Sequence, residues 1–244
     1  MRASDKNLTV LSEAERAALY GLPDFDDFQR AEFLALTDEA RTLAQRCNGL
    51  PEQILCMLQI GYFKAKKAFF KISLSEAPQE GIDYLLRSYF PNEQFFMRPV
   101  RQSEYYVQCK EIANLYGYRL WSKQFSSPLT ERAAQLALHD VTPAFIVTEL
   151  IAFLNRQKIV RPAYTTLQAI IVDVLASERM RFGRLIEEVL DDDGKTALEQ
   201  LLVREDTLSA LAAIKQDAKH FNYRMMVLER HKYAMLKPLY RLAK

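Results

Sequence analysis

Apolar side chains at positions 54, 55, 58, 62, 65 and 69 recur every three or four residues behind Pro51, which predicts a helix with one inward stripe running through "EQILCMLQIGYFKAKKAFF". Ser12 followed by Glu15 forms a capping box, because a hydroxyl and a carboxylate three residues apart can satisfy the free amides of a first turn. A helix is therefore expected from 13 to about 20, stopped by Gly21, Leu22 and Pro23. Thr37 opens a second such signal, with Asp38 and Glu39 near the positive end of the helix dipole and a stop at Asn48 and Gly49. Further helices are expected near 79–90, 103–116, 129–139, 143–157, 165–190, 195–203 and 216–236. "QKIVRPAY" (157–164) reads as extended, since Pro162 biases Arg161 away from helix.

These elements predict an all-α, multi-helical chain without a substantial sheet. Seven glycines and nine prolines in 244 residues, against plentiful Leu, Ala, Glu, Lys, Arg and Gln, agree with that reading. "FSSPLT" (125–130) is the expected linker, dividing the chain into helical subdomains 1–125 and 126–244; "DDDGK" (191–195) reads as a turn inside the second. Cys47, Cys56 and Cys109 show no metal-ligand spacing and are expected as free thiols in a reducing, cytoplasmic setting. "PAFIVTELIAFL" (143–154) is interrupted by Glu149 and is too short to span a bilayer.

Net charge is only +2, but its distribution is uneven. Residues 46–124 carry eleven basic against seven acidic side chains and residues 215–244 eight against two, whereas 165–214 carry five against ten. Local field, rather than total charge, attracts a polyanion.

"GYFKAKKAFFKIS" (61–73) concentrates this pattern. On a helical wheel Tyr62, Phe63, Phe69 and Phe70 share one arc while Lys64, Lys67 and Lys71 form a ridge opposite, with Lys66 near the aromatic side and obliged to snorkel. A lysine ridge suits a phosphate backbone, and a solvated face is the alternative. A membrane surface fits less well, because the core needs the aromatic face. Arg101, Lys110, Arg119 and Lys123 frame a second basic and aromatic stretch with Tyr105, Tyr106, Tyr118 and Trp121. Arg156, Lys158 and Arg161 lead into a helix that Thr165 or Thr166 would cap, and such a helix start is a ready phosphate site.

Catalysis is not expected of this chain. Asp191, Asp192 and Asp193 are consecutive and point apart, so Asp192 or Asp193 reads as turn chemistry ahead of Gly194. The three histidines lack metal spacing, and "DDDGKT" lacks the first glycine and the strand of a phosphate-binding loop. No cofactor, membrane or small-molecule substrate is expected.

The succession "LSEAERAAL", "LTDEA", "NGL", "LQIGYF", "EIANLYGYR", "LNRQKIVRPAYTTLQ", "LEQLL" and "TLSALAAIK" resembles the N-terminal region of the replicative transposases of the Tn-three family, from about residue 8 to 240. After "LQIG" the family tends to have a basic residue and another glycine where this chain has "YFKAKK". The resemblance implies a helical region that binds the terminal inverted repeats of a transposon, ahead of a DDE-type catalytic part. That downstream part would hold the divalent metals, and this chain is expected to stop before it. Carried across by position, it implies DNA contacts from Asn48 and the Lys64 ridge, from Lys110 and Arg119, and from Arg156 to Thr166. The competing reading is a helical interaction or self-association module, docking through the apolar face of Phe221, Met225, Leu228 and Met235 on the basic C-terminal helix.

Overall fold

The computed structural model describes residues 9–200, 204–205, 208–209 and 223–242. The fold is all-α. Helices α1 (Glu13–Tyr20), α2 (Asp27–Phe33), α3 (Asp38–Gln45), α4 (Leu50–Lys66), α5 (Gln79–Tyr89) and α6 (Gln102–Leu115) are followed by α7 (Ser126–Ala137), α8 (Pro143–Arg156), α9 (Tyr164–Val189), α10 (Asp192–Gln200) and α11 (Tyr223–Leu242). Among the described residues Arg204–Glu205 pairs with Leu208–Ser209 in a short antiparallel hairpin. Among the described residues no helix is long and apolar enough to cross a membrane.

Two compact units divide the chain, Met1–Ala176 and Ser177–Lys244. The first unit contains two apolar cores. One gathers around α4, in which twelve residues from Pro51 to Phe63 are buried. The single inward stripe expected of this helix is thus a fully enclosed cylinder, because α2, α3, α5 and α6 pack around it. Gly61 lets α2 approach: a Cβ there would lie 2.4 Å from Leu34 Cδ2. The other core joins Leu129, Ala133 and Leu136 of α7, Ile146, Val147 and Leu150 of α8, and Leu167 and Ile171 of α9, closed by Val10 and Leu11.

The two cores meet along one extended segment. Ile159 belongs to the second core and its neighbour Val160 to the first, the alternation that a strand-like backbone imposes. Of the expected extended 157–164, residues 159–163 are extended, while Gln157 and Lys158 form a turn and Tyr164 opens α9. Arg119 N–H donates to Lys158 O at 2.8 Å and Val160 N–H to Arg119 O at 2.9 Å, forming an isolated parallel bridge.

Several boundaries differ from those the pattern predicts. The helix α4 ends at Lys66 and does not continue to Phe70, so Lys71 lies on no helical ridge. Lys67 takes a left-handed conformation, φ 52°, and turns the chain back. Two interactions reward that reversal. Phe69 stacks on Phe63 at 5.0 Å and Phe70 meets Tyr62 edge-on at 5.7 Å. The fully buried Gln59 donates from Nε2 to Phe70 O at 2.6 Å and accepts Phe70 N–H on Oε1 at 3.3 Å. Seven aromatic and basic residues in helical register thus become two layers once the aromatic rings pack on their own helix.

"FSSPLT" is not a linker. Phe125 closes a short 3-10 turn (Lys123–Phe125) and Ser126 to Thr130 form the first turns of α7, where Pro128 needs no amide partner. The expected division at 125/126 falls inside the first unit, at the passage from one core to the other. α2 has no counterpart in the predicted elements: it is a seven-residue helix opened by Asp26, whose carboxylate accepts Gln29 N–H at 2.8 Å. In the second unit the capping carboxylate is Asp191, which accepts Gly194 N–H at 2.8 Å, rather than Asp192 or Asp193. Of the docking face read on the C-terminal helix, Phe221 lies outside the described residues, as do the packing of Met235 and most of 201–222.

Replacing Gln59 by Leu keeps volume but strands the Phe70 amide and leaves its carbonyl only the Ile72 N–H, at a cost of about 1–3 kcal/mol. Urea denaturation should show that loss with an unchanged m-value; wild-type stability would mean the amide does not hold the reversal.

Candidate nucleic-acid interface

The reversal at Lys67 and the extended segment at Lys158–Arg161 lie side by side, because Arg161 N–H donates to Lys67 O at 3.1 Å. With the 119/158–160 bridge, this places three distant stretches of the first unit along one seam. Lys64, Lys66 and Lys67 come from the end of α4, Arg119 from the segment after α6, and Lys158 and Arg161 from the segment after α8. Among the described residues none of these six has a carboxylate within ion-pair distance.

Their partners are main-chain carbonyls and aromatic faces. Lys64 Nζ donates to Glu32 O at 2.8 Å and Ala35 O at 3.0 Å, at the C-terminal end of α2. Lys66 Nζ donates to Ala18 O, and Arg161 Nη1 to Leu19 O at 2.7 Å, both in the last turn of α1. These are carbonyls that a helix end leaves without partners, at the negative pole of its dipole. Lys67 Nζ donates to Lys64 O at 2.8 Å. The remaining two cations sit over rings: Arg119 over Phe125 at 4.9 Å and Lys158 over Tyr118 at 4.9 Å. Arg119 Nη2 also reaches Gln157 O at 3.3 Å.

Burial is the main influence on the charge of Lys64, Lys66, Lys67 and Arg161, and neighbouring cations add to it at Lys66 and Lys67. Burial pushes the Lys66 ammonium below its ordinary pKa and the Arg161 charge lowers it further. Lys67 is lowered by burial, then by Lys158 and Lys64. Burial lowers Lys64 as well, partly offset by Glu32, and it lowers Arg161, against a small opposing effect of Tyr20. Arg119 and Lys158 are exposed, while Lys64, Lys66, Lys67 and Arg161 are half-buried. Two of the six hold strained backbones: Lys67 and Lys158 have φ of 52° and 53°, and they are the described non-glycine residues with positive φ. A left-handed L-residue costs about 1–2 kcal/mol. Both strained residues therefore sit in the seam.

Of the residues singled out from sequence, Lys64, Lys67, Arg119, Lys158 and Arg161 are brought together, and Lys66 joins them. Lys66, placed near the aromatic side by its helical position, is the last residue of α4 and reaches the end of α1. Lys71 is exposed on the returning segment, and Arg156 is exposed at the end of α8. Lys123 opens the turn that carries Phe125. Thr165 and Thr166 do not cap α9: the helix starts at Tyr164, and Ala163 O accepts Thr166 N–H at 3.0 Å, so both threonines lie within the first turn. Asn48, Arg101 and Lys110 belong to the α3–α6 side, with Arg101 flanking the first residue of α6 and Lys110 exposed on it; no contact among the described residues joins them to the seam. Tyr118 is buried edge-on against Phe63 at 5.2 Å, so it serves as a floor for Lys158 and has no free face for a base.

No curated protein matches the chain. A family described as a domain of unknown function, DUF4158, matches residues 10–174, almost the span of the first unit. Since that match covers well over half of the chain, the protein belongs to the DUF4158 family.

Proposed function

We propose that the chain binds double-stranded DNA through the seam, as the non-catalytic N-terminal part of a replicative transposase that recognises its transposon's terminal inverted repeats. The observation that carries this reading is the convergence of six cations without a carboxylate partner among the described residues. A folded surface ordinarily intersperses both signs, and half-buried cations gathered without a counter-charge gain when an outside anion sits beside them. The resemblance to Tn-three transposases points to the same partner, and the DUF4158 domain is often found in those enzymes.

The six cations divide into two roles. Arg119 and Lys158 are exposed and rest over Phe125 and Tyr118, so less side-chain freedom is left to lose when phosphate arrives. They make the direct backbone contacts. Lys64, Lys66, Lys67 and Arg161 are committed to carbonyls and act through their field. Base reading falls to residues outside the seam, since phosphate contacts fix register without reporting sequence.

Affinity for a duplex bearing the element's own terminal repeat should exceed that for scrambled duplex and fall with salt, with a log–log slope of about −2 from the two direct phosphate contacts and steeper if residues outside the seam add others. Arg119→Ala should weaken all duplexes alike and flatten that slope by about 1. A salt-independent affinity would instead favour the interaction-module reading.

Lys158→Gly separates function from folding. It relieves the left-handed strain while loosening the unfolded chain, so stability should change by no more than about 1 kcal/mol. Duplex affinity should nevertheless drop; equal affinity in fluorescence anisotropy would remove Lys158 from the interface.

Proton linkage gives a third check. The free lysines titrate below their ordinary pKa, and nearby phosphate raises it again, so binding takes up protons at alkaline pH and weakens as pH rises. Calorimetry in buffers of different ionisation enthalpy should show that uptake; a buffer-independent heat would place the phosphates away from Lys66 and Lys67.

A further inference from the structure

Away from the seam, α3, α4 and α6 surround a cavity of about 450 Å³, within the range of about 300–1,000 Å³ usual for small-ligand sites. Glu104, Gln108 and Glu111 follow helical spacing and present one face of α6 to it. Cys47, just after α3, and Glu52, on α4, line the facing side.

The polar groups of this cavity are held but incompletely matched. Gln108 is only 5% exposed. Its Nε2 donates to Glu52 O at 3.0 Å and to Cys47 Sγ at 3.5 Å, which fixes the amide and leaves Oε1 buried without a donor. Glu104 Oε2, four residues earlier on the same face, is likewise buried without a partner. The carboxylate of Glu52 is already engaged, by Arg98 Nη2 at 2.9 and 3.0 Å. Glu104 and Glu111 therefore remain as uncompensated carboxylates on the wall, and no ion pair among the described residues links Arg46, the cation beside them, to either. Arg46, Asn48 and Ser103 also line the cavity, yet Gln108 Oε1 and Glu104 Oε2 receive no hydrogen bond from them; what these two buried acceptors lack is a donor.

We propose that this cavity binds a guanidinium or alkylammonium group, whose N–H donors satisfy Gln108 Oε1 and Glu104 Oε2 while Glu104 and Glu111 balance its charge. A guanidinium fits better, because its planar fork offers donors to two acceptors at once and is weakly hydrated. The group comes either from a free small molecule or from an arginine side chain entering at the mouth. The proposal shares no residue with the cationic seam and stands apart from the DNA-binding reading.

Cys47 supplies a reporter. It is the half-buried thiol of the three, on the cavity wall, while Cys56 and Cys109 are 0% and 5% exposed. Hydrogen bonding from Cys56, then from Gln108, lowers its pKa against the opposing effect of burial, so it is the thiol that an alkylating reagent meets first.

The test uses the full chain with ethylguanidinium, its neutral isostere N-ethylurea, and an end-blocked arginine dipeptide. Ethylguanidinium should bind saturably by calorimetry with a Kd of about 1 mM or tighter and slow iodoacetamide modification of Cys47. N-ethylurea should do neither. Glu104→Gln, and separately the exposed Glu111→Gln, should weaken binding about tenfold, the effect of roughly one charge-assisted hydrogen bond; Lys158→Ala should leave it unchanged. Binding of the dipeptide as tightly as ethylguanidinium assigns the site to a protein's arginine, and binding of ethylguanidinium alone assigns it to a free small molecule. Absence of saturable binding by either cation, equal protection by N-ethylurea, or wild-type affinity in both glutamate variants would overturn the proposal.

Discussion

The reversal of the chain at Lys67 is the constraint on which the rest of the first unit depends. A helix that continued through Phe70 would carry Lys71 outward and take Phe69 and Phe70 off the rings of Phe63 and Tyr62. Gln59 prevents this from inside the core, by taking both main-chain groups of Phe70 and folding Phe69 and Phe70 back onto the rings they follow in sequence. Only then is Lys67 O presented to Arg161 N–H, and only then do the segments at 64–67, 117–119 and 158–161 run together. Secondary structure, core and surface charge are here consequences of one buried amide and a left-handed lysine.

The helices were legible because their signals are local. Ser12 with Glu15, Thr37 with its acidic first turn, and Pro143 at the head of α8 each act on amides within a few residues, and the helices begin at or next to those positions. What failed was each inference that needed distant information. Nothing near Lys66 announces the end of α4, because the competing partner, Gln59, lies eleven residues from Phe70. The threonines before α9 resemble a cap in composition, yet Ala163 opens the ladder and they fall inside the turn. Asp26 capping α2 was overlooked because a seven-residue helix is too short to show a period.

The candidate site was half legible for the same reason. Basic residue types and their three clusters are visible in the sequence, and Lys64, Lys67, Arg119, Lys158 and Arg161 do come together. Which of them remain available does not follow from type or spacing. Lys64, Lys66 and Arg161 are spent on carbonyls at the ends of α1 and α2, whereas Arg119 and Lys158 rest on aromatic floors. The cations therefore serve the fold and the surface at once: helix ends that would otherwise lack donors receive them from the same side chains that set the local potential.

The lone parallel bridge between Arg119 and Ile159 has a consequence for how the polypeptide is made. Its two strands are separated by the whole of α7 and α8, and the neighbouring contact between Lys67 and Arg161 closes an even longer loop. During synthesis the ribosome must deliver residue 161 before the positive surface can exist, although every lysine of α4 emerged long before. A half-made chain thus displays its charges piecemeal, and the six cations come together late, as a single event when the second core condenses beside the first.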